Sequence, residues 1–288
     1  MKDFGRGVIV VLALALTFGQ KILCAAPILY ATDAGTQQLF TLSPAHASPS
    51  LVGGFGVSGV MAGLAYDAEN DILFGSTSST SNLYSINRST GTATLIGPIG
   101  VPLMHALAFD NSTGILYGAY GGTSSLYRIN PLTGAATLIG DAGFPFSGLA
   151  FEPVTNILYG TTYAPGVTKL LRIDVATGQA TQIGTVALNG VSFEPETGVL
   201  YGISNGSLGL RKGLYTVDIA TGVPSLVGSL SLENPLDLQF VLAPVPEPGT
   251  WVLLVLGLFG LTRLSPVSAE CKSHLLRNSP CFGTGVRV

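Results

Sequence analysis

GLAFEPVTNILYG, Gly148 to Gly160, decides the fold, because the chain repeats it. The same pattern occurs as GLAYDAENDILFG (Gly63 to Gly75), ALAFDNSTGILYG (Ala106 to Gly118) and GVSFEPETGVLYG (Gly190 to Gly202). Its aromatic residues Tyr66, Phe109, Phe151 and Phe193 are spaced 43, 42 and 42 residues apart. Each copy holds two short apolar segments, A (GLAFE) and B (ILYG), split by polar turn residues. Alternation with β-branched and aromatic content reads as strand, and the turn residues read as a tight reversal.

Each copy continues into a second pair of segments, C and D. These are LYSINRSTGTATLIG (Leu83 to Gly97), LYRINPLTGAATLIG (Leu126 to Gly140), LLRIDVATGQATQIG (Leu170 to Gly184) and LYTVDIATGVPSLVG (Leu214 to Gly228). The A–B turns close on Asp71, Gly114, Asn156 and Gly198, and the C–D turns on Gly91, Gly134, Gly178 and Gly222. These residue types accept positive φ at low cost. No stretch of the body has a helical period.

Four antiparallel strands in about 42 residues is the period of a β-propeller blade. The ends of the body fit a closed ring. It opens with PILYATDAGTQQLFTLSPAHASPSLVG (Pro27 to Gly53), which supplies B, C and D without A. It closes with LDLQFV (Leu236 to Val241), an A segment with nothing after it. The expected fold is all-β, a five-bladed propeller of four-stranded blades whose last strand completes the first blade and removes a free sheet edge. The repeats resemble bacterial extracellular propellers of the YVTN and NHL groups, a likeness that implies architecture and says little about function.

Composition narrows the function classes. Charged residues make up 10% of the 288, and the formal net charge is −3, which excludes the basic face that nucleic acid requires. Lys2 and Arg6, the apolar run Gly7–Gly19 and Cys24-Ala25-Ala26 read as a secretory signal. The expected division is a signal peptide over 1–26, a propeller over 27–243, an apolar C-terminal signal over 244–264 and a tail over 265–288. Cys24, Cys271 and Cys281 all lie outside the propeller, so an exported body must be held by its core without disulfides.

Most chemical motifs fail on context. Gly54-Phe55-Gly56-Val57-Ser58-Gly59 matches a dinucleotide fingerprint but leads into a strand, where the motif needs a helix N-terminus. Gly202-Ile203-Ser204-Asn205-Gly206 matches a nucleophile elbow but leads into another loop and strand. His46 and His105 have no metal-ligand spacing. Asp67, Glu69, Asn70 and Asp71 form an acidic turn with calcium-type oxygens, yet Asp110, Glu152 and Glu194 hold the place of Asp67 in the other copies, which marks a turn residue. No metal or cofactor is expected. A ligand face is expected where the B–C and D–A loops meet. Those loops are rich in Ser, Thr, Asn and Gly, with Tyr120, Phe144, Phe146 and Tyr163 nearby, a mixture suited to sugars.

The C-terminal stretch PVPEPGTWVLLVLGLFGLTRL, Pro244 to Leu264, is of another kind. Its apolar part, Thr250 to Thr262, spans roughly 20 Å as a helix, short of a hydrocarbon core of about 30 Å. Pro246-Glu247-Pro248, then the helix-forming run with Trp251, Leu253, Leu254, Leu256, Leu258, Phe259 and Leu261, then Arg263, resembles the PEP-CTERM sorting signal. That resemblance implies a transmembrane helix, retention in the inner membrane, and an exosortase that acts at the Pro-Glu-Pro motif and releases the body to the cell surface or matrix. The implied partners are exosortase, signal peptidase with the export machinery, the inner membrane and exopolysaccharide. The family's arginine cluster after the helix is replaced here by Arg263 and then Lys272 and Arg277 in the tail. The expected function is a non-enzymatic surface or matrix scaffold that binds exopolysaccharide. The runner-up is a polysaccharide-active hydrolase or lyase, and a third reading is a structural component with no discrete ligand.

Overall fold

The computed structural model describes residues 26–152, 154–162 and 168–242. Residues 1–25 of the expected signal peptide, the Pro246-Glu247-Pro248 motif, the apolar run from Trp251 to Arg263, the tail and Tyr163 lie outside these residues.

The described chain is all strand and turn. Its first three strands are β1 (Ile28–Asp33), β2 (Gln38–Leu42) and β3 (Pro49–Gly54). Four full sets follow. They are β4 (Met61–Asp67), β5 (Ile72–Thr77), β6 (Asn82–Ile86) and β7 (Ala93–Pro98), then β8 (Met104–Asp110), β9 (Ile115–Tyr120), β10 (Ser125–Ile129) and β11 (Ala136–Asp141). Next come β12 (Phe146–Glu152), β13 (Ile157–Thr162), β14 (Leu170–Ile173) and β15 (Ala180–Gly184), then β16 (Gly190–Phe193), β17 (Leu200–Ser204), β18 (Gly213–Val217) and β19 (Pro224–Ser229). The last strand is β20 (Pro235–Val241). They form five four-stranded antiparallel sheets, and β20 joins β1, β2 and β3 as the innermost strand of the first. Ile28 faces Val241 and Leu29 faces Phe240 across that closing pair. The inner strands β20, β4, β8, β12 and β16 touch in ring order. The fold is thus the five-bladed propeller that the repeats imply, with the closure at the expected strand.

Side-chain alternation explains why the blades stack. Each inter-blade seam holds one cluster of buried apolar residues drawn from both neighbours, and there are five such clusters for five seams. At four seams a ring on strand B of one blade meets a ring on strand A of the next. The pairs are Phe74–Phe109, Tyr117–Phe151, Tyr159–Phe193 and Tyr201–Phe240, with centroids 5.2 to 6.3 Å apart. Each such pair contributes about 0.5–1.5 kcal/mol beyond its burial. The seam between the first and second blades is different. There Tyr66 Oη donates to Asp71 Oδ1 at 2.6 Å, Arg88 pairs with Asp71 and lies over the Tyr66 ring, and Tyr30 Oη donates to the Arg88 carbonyl at 3.3 Å. Burial first, then the Asp71 hydrogen bond, pushes the Tyr66 phenol well above its usual range, so it stays a donor.

The turns are built by carboxylates and amides that cap their own backbone. Asp67 Oδ1 accepts from Glu69 N and Asn70 N, and Asp67 Oδ2 accepts from Asn70 Nδ2. Asp110, Glu152 and Glu194 make the equivalent bonds, so the acidic turn is a local cap, as its recurrence implies. Asp71 and Asn156 sit at φ of 58° and 57° at the places where the sequence pattern asks for a left-handed residue.

A glycine contact repeats around the ring. Gly53, Gly97, Gly140 and Gly184 on the outer strands lie against the Thr-Gly peptide of the next blade's C–D turn. A Cβ at Gly140 would overlap the Thr177 carbonyl oxygen. At the closing seam Gly228 meets His46 and Ala47, and Ala47 takes the turn glycine's place at φ 57°. Because the overlap is with backbone, Gly140→Ala must separate two blades to relax. It is expected to destabilise the protein by at least about 2 kcal/mol, read as a lower denaturant midpoint with an unchanged m-value.

Candidate functional site

Strand direction sorts the loops. A and C strands run towards the end of the ring that carries the A–B and C–D turns. The B–C and D–A loops therefore share the opposite end, where the sequence places the ligand face. A pocket of about 360 Å³ opens there on the ring axis. Its wall holds one residue at each inner strand: Ala62, His105, Ser147 and Leu236 at the second strand position, and Asn189 just before β16. Ser78, Asn205, Ser207 and Asn234 add the rim from the loops.

Local hydrogen bonds hold these groups in place. Ser147 Oγ donates to the Leu188 carbonyl at 3.0 Å, and Thr161 Oγ1 donates to the Asn189 carbonyl at 3.3 Å, which binds the fourth blade to the fifth at the rim. Asn189 Oδ1 accepts from Asn205 N at 2.9 Å. Asn205 Nδ2 donates to Asn234 Oδ1 at 2.9 Å, so the amides of the fifth and first blades form one chain. Asp33 anchors this corner from below. Its carboxylate accepts from Glu233 N, Asn234 N and Gly35 N at 2.9, 2.7 and 3.0 Å.

The lining carries no Asp, Glu, Lys or Arg. Its one titratable side chain is His105, and burial pulls that imidazole below its ordinary pKa, so it is neutral at pH 7. What remains is amide, hydroxyl and neutral imidazole beside Ala62 and Leu236. Such a site forms hydrogen bonds to an uncharged ligand at little desolvation cost. Among the described residues no three His, Cys, Asp or Glu converge as metal ligands.

The sequence-based candidates fall beside this pocket, not in it. Phe146 corrects the expectation of an exposed aromatic: it is 0% exposed and belongs to the core of the third and fourth blades. It occupies the first inner-strand position, where Met61 and Met104 are also buried. Phe144 is half-buried on a D–A loop, with Lys169 Nζ 4.5 Å from its ring centroid. Tyr120 is half-buried at the end of β9. Ser204 of the apparent nucleophile elbow is fully buried, and its hydroxyl accepts from Gly206 N at 3.2 Å. Gly54 ends β3, and Phe55 to Gly59 lead from it to β4 with no helix after them.

One carboxyl beneath the pocket escaped the sequence reading. Asp237 sits where the other inner strands carry Gly63, Ala106, Gly148 and Gly190. It is 1% exposed, and its Oδ2 accepts from Leu64 N of the second blade at 2.7 Å while Oδ1 accepts from Leu238 N at 2.9 Å. Burial raises its pKa well above the ordinary carboxyl value, against the smaller lowering by these two bonds.

No family model matches the chain, and no curated protein matches it. Solved structures do. A chain of the nidogen/laminin complex aligns with TM-score 0.54 and 14% identity over 76% of this chain and 82% of its own. A gluconolactonase from Xanthomonas campestris, XC5397, aligns with TM-score 0.52 and 15% identity over 74% of this chain and 77% of its own. At these identities the likeness shows the fold alone, a β-propeller. It also corrects the expectation of a non-enzymatic chain. That expectation rested on the absence of a recognisable motif, and the same architecture in the second neighbour carries an enzyme. Among the described residues no helix is long and apolar enough to cross a membrane.

Asp237 gives the fold a pH dependence with a definite sign. A carboxyl whose folded pKa exceeds its unfolded value stabilises fully below the unfolded value and loses that contribution as pH rises through the folded one. The thermal midpoint should therefore fall as pH rises above the ordinary carboxyl range of about 4, with up to about 1.4 kcal/mol of stability lost per pH unit until the folded group has ionised. Asp237→Asn should flatten this part of the profile. A variant with the parent's pH profile would show that another group is responsible.

Proposed function

We propose that the chain is an exported protein with a PEP-CTERM sorting signal, delivered by exosortase to the cell surface or extracellular matrix, whose propeller binds a polysaccharide at the axial pocket. One observation carries the binding part. Each of the five blades contributes a residue to one pocket, whose lining mixes amides, hydroxyls and a neutral imidazole with two apolar side chains and holds no Asp, Glu, Lys or Arg. Hydroxyl-rich ligands are recognised by amides and hydroxyls held in fixed orientations, and the Asn189–Asn205–Asn234 chain supplies them. An exopolysaccharide is the ligand of this chemistry that such sorting would bring the protein to.

The sorting part is supported by the Pro246-Glu247-Pro248 motif and the apolar run after it. Chain geometry is compatible with it. β20 ends at Val241 on the turn end of the ring, opposite the pocket, so a membrane tether leaving from there keeps the pocket clear of the bilayer. Four residues separate Leu242 from Glu247, which puts the motif within about 18 Å of the folded body.

Two measurements test this reading. Mass spectrometry of the protein from cells with exosortase should give a C-terminus near Pro246 to Pro248, and from cells without it one that extends past Leu264. A C-terminus past Leu264 in both refutes sorting. Titration with neutral oligosaccharides should give binding that Asn205→Ala weakens by about tenfold or more, because it removes one amide from the rim and releases the Asn234 side chain that this amide holds. Turnover of the same oligosaccharides would assign the pocket to a hydrolase or lyase.

A further inference from the structure

The three asparagines at the pocket are oriented by the backbone, and the orientation has one sense. Asn205 N donates to Asn189 Oδ1, and Ser207 N donates to Asn205 Oδ1, both at 2.9 Å. A peptide N–H only donates, so each of these two side chains must present its oxygen to the backbone and turn its NH2 away. Asn205 Nδ2 then donates to Asn234 Oδ1, which turns the NH2 of Asn234 away in the same manner. All three amide oxygens are used inside the protein. Asn189 Nδ2 and Asn234 Nδ2 meet no protein acceptor among the described residues, and both side chains line the pocket. Asn189 is only 4% exposed and lines the pocket, so its Nδ2 is a donor on a side chain fixed by the protein and open to an acceptor from outside the chain.

The surroundings select the acceptor. The lining has no cation, and the Asp33 carboxylate lies behind Asn234, bonded to its backbone N–H at 2.7 Å. Its charge opposes a second carboxylate at the amides. Next to Asn189 in ring order come Leu236 and then Ala62, two apolar side chains in the same pocket. Two amide donors and a small apolar surface in one pocket match a group with a carbonyl oxygen on one side and a methyl on the other.

We propose that the pocket selects a sugar residue bearing an acetyl group, whose carbonyl oxygen accepts from Asn189 Nδ2 and Asn234 Nδ2 while its methyl rests on Leu236 and Ala62. The proposal rests on reading the axial pocket as a saccharide site. The acetyl group can be carried on nitrogen or on oxygen.

The test is calorimetric titration of the full chain in detergent with four oligomers of equal length: N-acetylglucosamine, O-acetylated glucose, plain glucose and glucuronate. One or both acetylated oligomers should bind at least about tenfold tighter than plain glucose, and glucuronate no tighter than glucose. Which acetylated oligomer binds tighter identifies the carrier atom. Asn189→Asp keeps the acceptor for Asn205 N but replaces the donor, and should remove the acetyl preference. Asn234→Asp, at an exposed position, should do the same and covers the case where the first variant fails to fold. Equal affinity for acetylated and plain glucose oligomers, or a preference for glucuronate, overturns the proposal and leaves the saccharide reading standing. An acetyl preference that survives in both folded variants also overturns it. No binding of any oligomer overturns both readings.

Discussion

Blade spacing is the constraint on which the rest of the ring depends, and it is set by backbone meeting backbone. Gly53, Gly97, Gly140 and Gly184 each lie against the Thr-Gly peptide of the following turn, with no room for a Cβ. That contact brings neighbouring sheets close enough for the four aromatic pairs to touch. It also sets the angle at which the inner strands converge. A wider spacing would open the axis, and the pocket wall from Ala62 to Leu236 would no longer present five residues to one volume.

The fold was largely legible because it is a repeat. A period near 42 residues, paired turn glycines and a missing A segment at the start suffice to infer five blades and the closing strand. The site was less legible, because loop composition points to the wrong residues. Phe144 and Phe146 stand out as aromatics near loops. Yet Phe146 shares a column of the repeat with Met61 and Met104, and that column is core. The next column, Ala62, His105, Ser147, Asn189 and Leu236, varies in polarity within otherwise apolar strands. This was the available signal that those positions face a cavity and not a packed seam. Asn205 and Asn234 gave no such signal, since only the folded ring brings residues 29 positions apart into hydrogen-bond contact.

The departures from repeat symmetry cluster at the closing blade and its neighbours. Asp33 stands where the second and fourth blades have Thr77 and Thr162, and Asp237 and Ala47 stand where most other blades have glycine. The two aspartates bond across to other parts of the ring. An exact repeat would give five equivalent seams and no preferred register for closure. Asp237 reaching Leu64 N and Ser192 Oγ accepting from Phe240 N tie β20 to the blades on both sides, which specifies where the last strand belongs. Burying a carboxyl there carries a desolvation cost, which the hydrogen bonds from Leu64 N and Leu238 N partly offset. The same cluster supplies Asn234 to the pocket, so the seam that closes the ring also helps to shape the site.

Both ends of the described chain emerge at the turn end, while the pocket opens at the other. A mechanical load between a ligand in the pocket and the C-terminal end therefore acts along β20, parallel to the strands. Hydrogen bonds between β20 and β1 would then bear the force in shear, so that several must fail together. A load that peeled the strand sideways would break them one by one. The ring is thus arranged to resist traction along its axis, the direction in which a bound polymer would pull.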